Sequence, residues 1–460
     1  MDRRVMCVMI VGAVLAWTAG CSVDQAKEVA TYRAVLDPGA RTVAYDPDGP
    51  LSLDNALQLV NLHNERLAMQ GETYLQSLID KDRAVASFLP TVSFAPSYLR
   101  EEATGIPLAA EFVPKRALDL PFEAGVNVNV PRSAARVRAT RDAAKAQREL
   151  LLEAQSAIFL DAAETYYQVL RSEAQSGFLT NSVTVQEARL ANAQKKRKAG
   201  AARALDVAQV EGQLAGTRAQ LIASAGDVRN GRTVLALVLG VPVVRGPLVD
   251  RLAVPDNTPS VDALYLDARA RRHDVRAAAK QADAARANVQ AAWSRYFPTV
   301  GLNGEFWAHR ESFPVDVTWM GIVSLDWPIV SAGLIHADVR TAYSQLRQAE
   351  LAESYASRVA LKELRVAREN VESSGKRAAE LRVQLAASQE ALKDAEKGYQ
   401  VGLNTNVDRL VAQDQVLASG LALLSEELTR KIYYIRLLRA RGILDLRSTE
   451  IAAPAGDGKD

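Results

Sequence analysis

The chain has 460 residues, and its 56 basic and 54 acidic side chains leave a net charge of +2 at pH 7. Such a balanced charge argues against a nucleic-acid-binding protein, which needs a basic surface. Only two cysteines occur, and because Cys7 lies in the leader described next, the mature chain can form neither a disulfide nor a thiolate metal site. No Walker loop, nucleophile elbow or zinc motif is present, so neither an enzyme nor a cofactor is predicted.

The N-terminus has the pattern of an export signal over residues 1–20. Two arginines precede an apolar stretch that ends at Thr18 and is too short to span a bilayer stably. The following Thr18-Ala19-Gly20-Cys21 resembles a bacterial lipobox, which implies cleavage before Cys21 and a covalent lipid on its sulfur. An ordinary signal peptide with an incidental cysteine is the alternative. Ser22, in place of an aspartate, implies sorting of such a lipoprotein to the outer membrane.

Residues 21–50 are predicted to form a lipid-anchored extended tether. They contain Asp37-Pro38-Gly39 and Asp46-Pro47-Asp48-Gly49-Pro50, and such clusters oppose helix formation. The folded body then begins at Leu51, with Ser52 as a helix cap. At the other end, residues 447–460 are rich in Ala, Gly and charge and are predicted to be disordered.

The body contains an internal duplication. Phe88-Leu89-Pro90-Thr91-Val92 returns about 208 residues later as Tyr296-Phe297-Pro298-Thr299-Val300. Three further positions each recur 202 residues later: Gly200, Asp206 and Gly240 return as Gly402, Asp408 and Gly442. The order of these matches predicts two copies of one structural unit, over residues 51–246 and 247–446.

Each copy is dominated by helix. Residues 133–198 and 335–400 lack proline, and each run would form a helix of roughly 100 Å. Shorter helices of about half that length are predicted at about 52–88, 203–238, 261–297 and 405–440. Because two short helices end to end match one long helix, the simplest packing places such a pair beside each long helix. This arrangement is typical of a coiled-coil tube.

Between the helices, the spacing of the apolar residues changes from the period of a helix to a period of two residues, which is that of a strand. Strands are predicted at about 91–100 and 120–131 in the first copy and at about 299–309 and 314–327 in the second. Val126, Val128 and Val130 alternate with small or polar residues, as the strands of a membrane barrel with a wet lumen require. Four strands cannot close a barrel, and an open sheet edge is not tolerated in lipid. Oligomerisation is therefore predicted, and three copies would supply twelve strands.

These features together resemble the TolC-like outer-membrane efflux family, in its lipidated branch, over about residues 51–446. The resemblance implies a mainly α fold with a β-barrel part: a homotrimer with a twelve-stranded outer-membrane barrel and a long α-helical barrel in the periplasm. It also implies a periplasmic membrane-fusion adaptor and an inner-membrane pump, with the RND type favoured. The segments that carry the resemblance, besides the repeated Pro-Thr-Val motif, are Trp327 to Leu334, Val234 to Gly240 and Gly402 to Asp408.

Functional residues are predicted where the helix pairs reverse. Asp206 and Asp408 are candidate periplasmic gate residues, because in a trimer each would recur as a ring of like charge; the alternative is that each caps its return helix. Asp408 matches the first of two acidic residues found in the family, whereas Val411 replaces the second. The predicted adaptor-contact tips are Gly200, Gly402, Leu403 and Thr405.

The resemblance implies an exit duct for drugs, toxic compounds or metals, and we predict that the duct is passive, because no residue pattern binds a nucleotide or relays protons. Two alternatives remain open at this stage. The chain could be the outer-membrane channel of a one-step protein secretion system, which shares this fold. It could also be a periplasmic coiled-coil lipoprotein spacer, although that reading leaves the paired strands unexplained.

Overall fold

A computed structural model describes residues 23–37, 39, 44–100, 116–255 and 259–445. The helices in chain order are α1 (Gln25–Leu36), α2 (Leu53–His63), α3 (Glu65–Ala86), α4 (Val130–Lys198), α5 (Ala204–Leu239), α6 (Val261–Arg271), α7 (His273–Trp293), α8 (Leu334–Gln400) and α9 (Asn406–Ala440). The strands are β1 (Leu51–Ser52), β2 (Thr91–Phe94), β3 (Ser97–Arg100), β4 (Arg116–Asp119), β5 (Pro121–Val128), β6 (Leu248–Val249), β7 (Thr299–Trp307) and β8 (Trp319–Asp326). The described chain is therefore mainly helical with few strands.

Two very long helices organise the molecule. Helix α4 has 69 residues and α8 has 67, so each is roughly 100 Å long. Helix α4 begins at a proline-containing first turn capped by Asn129, whose side chain accepts from the Arg132 amide at 3.0 Å. Within the part of the chain that the structure describes, no helix combines the length and the apolar character needed to cross a bilayer.

The shorter helices pack alongside the long ones in a fixed order. Helix α4 contacts α3 and α7 mainly along its first half, α5 along its second half, and α9 from its middle onward. Helix α8 likewise contacts α7 and then α9. The order across the molecule is thus α3, α4, α7, α8 at the sheet end and α5, α4, α9, α8 at the other end. Within each end, α8 and the short helix of the first repeat occupy the two outer positions.

Two of the predicted short helices are in fact broken. The helix predicted over 52–88 ends at His63 and restarts at Glu65, and the one predicted over 261–297 ends at Arg271 and restarts at His273. The first break occurs because Asn64 is extended: its side chain accepts from the Leu67 amide at 3.0 Å and donates to the Val238 carbonyl at 2.8 Å. The predicted boundaries were wrong because this capping depends on a distant helix.

The predicted tether is also partly wrong, because residues 25–36 form helix α1. The Asp24 side chain caps this helix by accepting from the amides of Ala26 and Lys27. Tyr32 and Leu36, four residues apart, are both buried in the main core, and Gly71 leaves room for the Tyr32 ring. Leu36 also accepts a hydrogen bond from Gln155 at 2.8 Å. The predicted extended segment therefore contains a docked helix, and both Pro/Gly/Asp clusters follow that helix in the chain.

The core around α1 is centred on the middle of α4. Phe159, Tyr166 and Tyr167 are fully buried there. The Tyr166 hydroxyl lies 2.8 Å from the Leu51 carbonyl and 2.9 Å from the Val249 carbonyl. It thereby joins β1 and β6, which pair in parallel. This small sheet ties the start of the first repeat to the start of the second.

The main sheet has four antiparallel strands in the order β2-β5-β7-β8. The strand predicted over 91–100 is split into β2 and β3 by Ala95-Pro96, and β3 pairs with β4; the proline cannot donate to a ladder. The strand predicted from 314 begins only at Trp319. Residues 308–318 instead form a loop whose Glu311 and Ser312 amides donate to the Asp119 carboxylate.

Candidate functional site

One face of the four-stranded sheet is apolar across every strand. The register places Phe94, Phe122, Phe306 and Trp319 in one cross-strand row. Because side chains alternate along a strand, the rows two, four and six residues away lie on the same face. Those rows contain Val92, Ala124, Gly304 and Gly321, then Val126, Leu302 and Val323, then Val128, Val300 and Leu325. Val323 remains 77% exposed within a single copy, so this apolar face needs a partner other than the chain's own core.

The opposite face of the same sheet is mostly polar. Its rows contain Ser93, Glu123, Glu305 and Met320, then Thr91, Gly125, Asn303 and Ile322, then Asn127, Gly301 and Ser324. Glu123 and Glu305 lie directly opposite each other on β5 and β7. Two like charges in such a position are unfavourable unless water surrounds them. The sheet is therefore built to separate an apolar environment from an aqueous one.

The edges of this sheet are open. Within the described residues, β2 pairs only with β5, and β8 pairs only with β7. Each edge leaves a row of backbone N–H and C=O groups facing outwards, which an apolar solvent cannot satisfy. A single copy cannot satisfy both edges in such a solvent.

At the far end of the molecule the long helices reverse at Gly200 and Gly402. Their φ values are +73° and +81°, in the left-handed region that glycine adopts most readily. No neighbouring atom lies within 4 Å of the position of a Cβ at either glycine. Leu403, beside the second reversal, is 83% exposed. The predicted tip residues Gly200, Gly402 and Leu403 therefore lie in open turns, and Thr405 caps the start of the return helix α9.

Asp206 and Asp408 both cap their return helices. The Asp408 carboxylate accepts from the Thr405 amide at 2.8 Å and from its hydroxyl at 2.7 Å, and these two bonds lower the pKa of Asp408. The Asp206 carboxylate accepts from the Arg203 guanidinium and from the Arg203 amide, which likewise lower the pKa of Asp206. The capping alternative is thus what one copy shows, and a gate role stays a prediction.

The two tips are joined by contacts that sequence reasoning missed. The Tyr399 ring contacts two cations, the Lys196 ammonium at 5.1 Å from its centroid and the Arg409 guanidinium at 4.6 Å. Buried Asn406 donates to the Asp206 carbonyl at 3.4 Å. One level deeper, Arg189 of α4 binds side chains of α8 and α9. No local spacing signals these contacts, because each depends on how the two repeats pack together.

One predicted site cannot be placed. Cys21, the predicted lipidation site, lies outside the described residues, as do the predicted signal segment 1–20 and the tail from residue 447.

An open apolar-faced sheet carried on two helices of this length agrees with the fold that the resemblance to the TolC-like family implies. Residues 264–442 match the family model "Outer membrane efflux protein". The chain is similar to the outer membrane protein OprJ of Pseudomonas aeruginosa, with 26% identity over 66% of this chain and 64% of OprJ. It is also similar to the probable outer membrane lipoprotein SilC of Salmonella typhimurium, with 25% identity over 53% of this chain and 54% of SilC. The chain thus spans less than two thirds of these relatives.

Solved structures share the fold along most of the chain. The CmeC outer membrane channel of Campylobacter jejuni superposes with a TM-score of 0.75, covering 92% of this chain and 95% of CmeC at 14% identity. The outer membrane protein VceC of Vibrio cholerae gives a TM-score of 0.74, covering 85% of this chain and 96% of VceC at 18% identity. The resemblance to the outer-membrane efflux proteins predicted from the sequence is therefore confirmed.

Proposed function

We propose that this protein is a passive exit duct in the bacterial outer membrane. The observation that carries the proposal is the four-stranded sheet, which has one apolar face, one polar face and two open edges. Lipid would cover the apolar face, and water would fill the space beside Glu123 and Glu305. A spacer lipoprotein would have no need for a sheet with these two faces.

The open edges require further copies of the chain. Joining β8 of one copy to the β2 side of the next satisfies both edges at once, and three copies give a closed barrel of twelve strands. The helices support the same closure, because α8 and the short helices of the first repeat occupy the outer positions at both ends. A trimer therefore forms a β-barrel continued by a helical barrel. A covalent lipid on Cys21 would anchor each copy beside it.

The energy for export would come from partners. We infer an adaptor that docks on the tips around Gly200, Gly402, Leu403 and Thr405, together with an inner-membrane pump, the RND type being favoured. In agreement with this inference, relatives such as TtgC of Pseudomonas putida carry the names of efflux pump outer membrane proteins. The proposed cargo is accordingly small: drugs, toxic compounds or metal ions.

The test is assembly and conductance of the mature chain. We expect a trimer in detergent whose mobility changes on heating, and single-channel currents in planar bilayers. A monomer without sheet signal, or a trimer that never conducts, would contradict the proposal and favour the spacer. If the channel conducts and the flanking genes encode an ABC exporter rather than a proton-driven pump, protein secretion replaces small-molecule efflux.

Docking at the tips has a separate test. Leu403→Asp places a charge on the exposed turn of the second tip, so we expect the trimer to assemble and conduct while drug efflux in cells falls several-fold. The matched control is Leu266→Asp, a comparably exposed leucine (75%) on α6, which should leave efflux intact. Normal efflux with Leu403→Asp would remove Leu403 from the proposed contact.

A further inference from the structure

Helix α8 carries a straight line of four arginines, which we name the arginine row: Arg340, Arg347, Arg358 and Arg365. The last three lie 7, 18 and 25 residues after the first. At 100° per residue, all four side chains therefore leave the helix within about 20° of one another. All four residues are exposed in a single copy, and they form a cationic strip roughly 38 Å long on one side of α8.

The arginine row lies on the side of α8 that faces away from its own copy. The buried residues Ala342, Ala360 and Leu364 lie about 200° to 240° around the helix from Arg340. Leu364 belongs to the core that α8 shares with α6 and α9. Because α8 makes its contacts within the copy through this buried side, the arginine row is directed away from the copy's other helices.

The arginine row has no ionic partner in the part of the copy that the structure describes. No side chain there forms an ion pair or a hydrogen bond with any of the four arginines. Three acidic residues in the same half of α8 behave differently, because arginines of segment 272–295 bind them: Asp338, Glu350 and Glu363. Helix α8 thus uses carboxylates for its contacts inside the copy and leaves these arginines to bind carboxylates of a partner.

The arginine row belongs to one lateral edge of the copy. Helix α8 directly follows β8, whose outer side is open, and it occupies an outer position among the helices. At the opposite edge, α3 directly precedes β2, the other open strand. Joining copies through β8 and β2 therefore places α8 of one copy beside α3 of the next.

The outward side of α3 supplies carboxylates at that opposite edge. Glu72 and Asp80 are exposed and lie about 100° and 180° around the helix from Gly71, which packs on the buried Tyr32 ring. The Asp80 side chain is 59% exposed. Arg83 donates to its Oδ1 atom at 2.6 Å, so the Oδ2 atom can accept from a second cation.

The cations of α3 are already bound to carboxylates of the same copy. Helix α3 has four acidic and three basic residues. Arg66 pairs with Asp161 of α4, and Lys81 pairs with the neighbouring Asp82. Because Arg83 is likewise held within the copy, the edge formed by α3 has an excess of negative charge.

We propose that the arginine row binds carboxylates on α3 of the neighbouring copy, and that this charge complementarity sets the head-to-tail order of the trimer. The inference rests on the proposed outer-membrane barrel. A second copy is the occupant because the arginine row continues the open edge of β8. Two arginine rows, or two α3 edges, would repel each other, so only unlike edges join. An arginine covered by the next copy without a carboxylate would oppose assembly.

The test exchanges charges between the two edges of the full mature chain. The first variant combines Arg340→Glu with Arg347→Glu, and the second combines Glu72→Lys with Asp80→Lys. A third chain carries all four substitutions, so that each edge has the opposite charge and unlike edges meet again. The fraction of trimer in detergent, followed on heating by gel electrophoresis, is the measurement.

The matched control is Lys195→Glu with Arg197→Glu. It reverses two exposed cations near the first tip of α4, a helix that does not occupy an outer position. The control should form as much trimer as the unsubstituted chain.

We expect roughly ten-fold less trimer for the first and second variants, because each places like charges against each other at all three interfaces. The chain with all four substitutions should recover most of the trimer. Normal assembly of the first and second variants, or losses that add up in the third chain, would overturn the charge complementarity while leaving the barrel intact. An unsubstituted chain that never forms a trimer would instead contradict the barrel itself.

Discussion

Asp206 and Asp408 occupy equivalent positions in the two repeats, yet their carboxylates differ in what they can bind. The Asp206 side chain is only 12% exposed and forms an ion pair with Arg203 at 3.0 Å. The Asp408 side chain is exposed and is held by the amide and hydroxyl of Thr405 alone. Because Arg203 neutralises Asp206, only Asp408 retains a negative charge that cations at the mouth could share. The structure therefore ranks Asp408 above Asp206 as a gate candidate.

Asp408→Ala tests that role when it is paired with Thr405→Ala. Both substitutions remove the same capping box, whereas only Asp408→Ala removes a charge. If Asp408 forms a cation-binding ring, its substitution weakens block of the channel by divalent cations several-fold in single-channel recordings, and Thr405→Ala preserves the block. An equal change of cation block in both variants would mean that Asp408 only caps the helix.

The pH dependence of this block follows from the lowered pKa of Asp408. Its hydrogen bonds from Thr405 favour the charged form, so the folded pKa lies below the ordinary value of 3.8. The capping contribution to stability is present above 3.8 and is lost as the pH falls through the folded pKa. Cation block should accordingly persist from neutral pH down to about pH 5 and decline only as the pH approaches the folded pKa of Asp408. Loss of block near neutral pH would assign it to a histidine or to another group.

At the level of helices and strands, each repeat contains one close backbone contact. In each repeat, a glycine at the end of the return helix packs against the break in a short helix. Gly240 has φ +68°, and a Cβ there would lie 2.4 Å from the His63 carbonyl oxygen. Gly442 has φ +72°, and its Cβ would lie 2.9 Å from the Arg272 backbone nitrogen. Each glycine thus lets the end of a return helix pack directly on the backbone break of the preceding helix pair. The duplication predicted both glycines but not the breaks they contact.

Gly240→Ala is expected to destabilise the protein. The substitution forces a side chain into a left-handed conformation and against backbone, at a cost of roughly 2 kcal/mol or more. Gly216→Ala is the matched control, because Gly216 lies inside helix α5 with no neighbouring atom within 4 Å; it should stabilise by about 0.5–1 kcal/mol. Denaturant unfolding of both variants measures the difference, and similar midpoints would contradict the proposed close packing.

A buried carboxylate, Glu149, joins α4 to α7. Burial opposes the charge of Glu149, but the His273 ring nitrogen at 2.7 Å and the Arg276 guanidinium at 2.9 Å outweigh it, so the pKa of Glu149 lies below its usual 4.5. The stability contributed by this ionised carboxylate is therefore present above pH 4.5 and is lost as the pH falls through the folded pKa.

Glu149→Gln should destabilise the protein by about 1 kcal/mol at pH 7, because it removes the charge of a buried carboxylate that binds half-buried His273 and exposed Arg276. The difference from the unsubstituted chain should shrink as the pH is lowered from 7 through the folded pKa of Glu149, below which this carboxyl is protonated in both the folded and the unfolded state. Denaturant midpoints across this range provide the measurement. Glu65→Gln, on the exposed first turn of α3, is the control and should have little effect at any pH. A difference at pH 7 that does not shrink in acid would assign the effect to packing.

The sequence predicted helix and strand types well but not their interruptions. The long helices and their reversals at Gly200 and Gly402 were predictable, since uninterrupted helix formers and a terminal glycine are local signals. The breaks at Asn64 and Arg272 and the docking of α1 were not, because they depend on partners 100 to 200 residues away. The same reason explains why Tyr399 and Arg189 were missed at the tips, although their neighbours Gly402 and Asp408 were identified.

At the scale of the whole assembly, closure converts features of one chain into rings. The sheet and the layer of helices each have two open lateral edges. Three copies joined at those edges would repeat every lumen-facing side chain three times. Glu123 and Glu305 are directly opposite on β5 and β7, so a trimer would hold six carboxylates at one height of the barrel. Keeping like charges side by side costs stability in a sheet, and a wet lumen that conducts cations explains why this cost is tolerated.

These carboxylates should make the barrel prefer cations, because a ring of Glu or Asp favours cation passage. We expect Glu123→Gln and Glu305→Gln each to shift the reversal potential in a salt gradient toward the anion side, and the double variant to shift it further. Removing one of two opposed like charges also relieves repulsion, so each single variant should be at least as heat-stable as the parent trimer. Glu72→Gln, beside Tyr32 of the docked helix α1, removes an equal charge away from the sheet and should leave the reversal potential unchanged. If Glu305→Gln conducts with the selectivity of the parent channel, the polar face of the sheet does not line the pore. That result would contradict the proposed barrel, in which the polar face is turned toward the lumen.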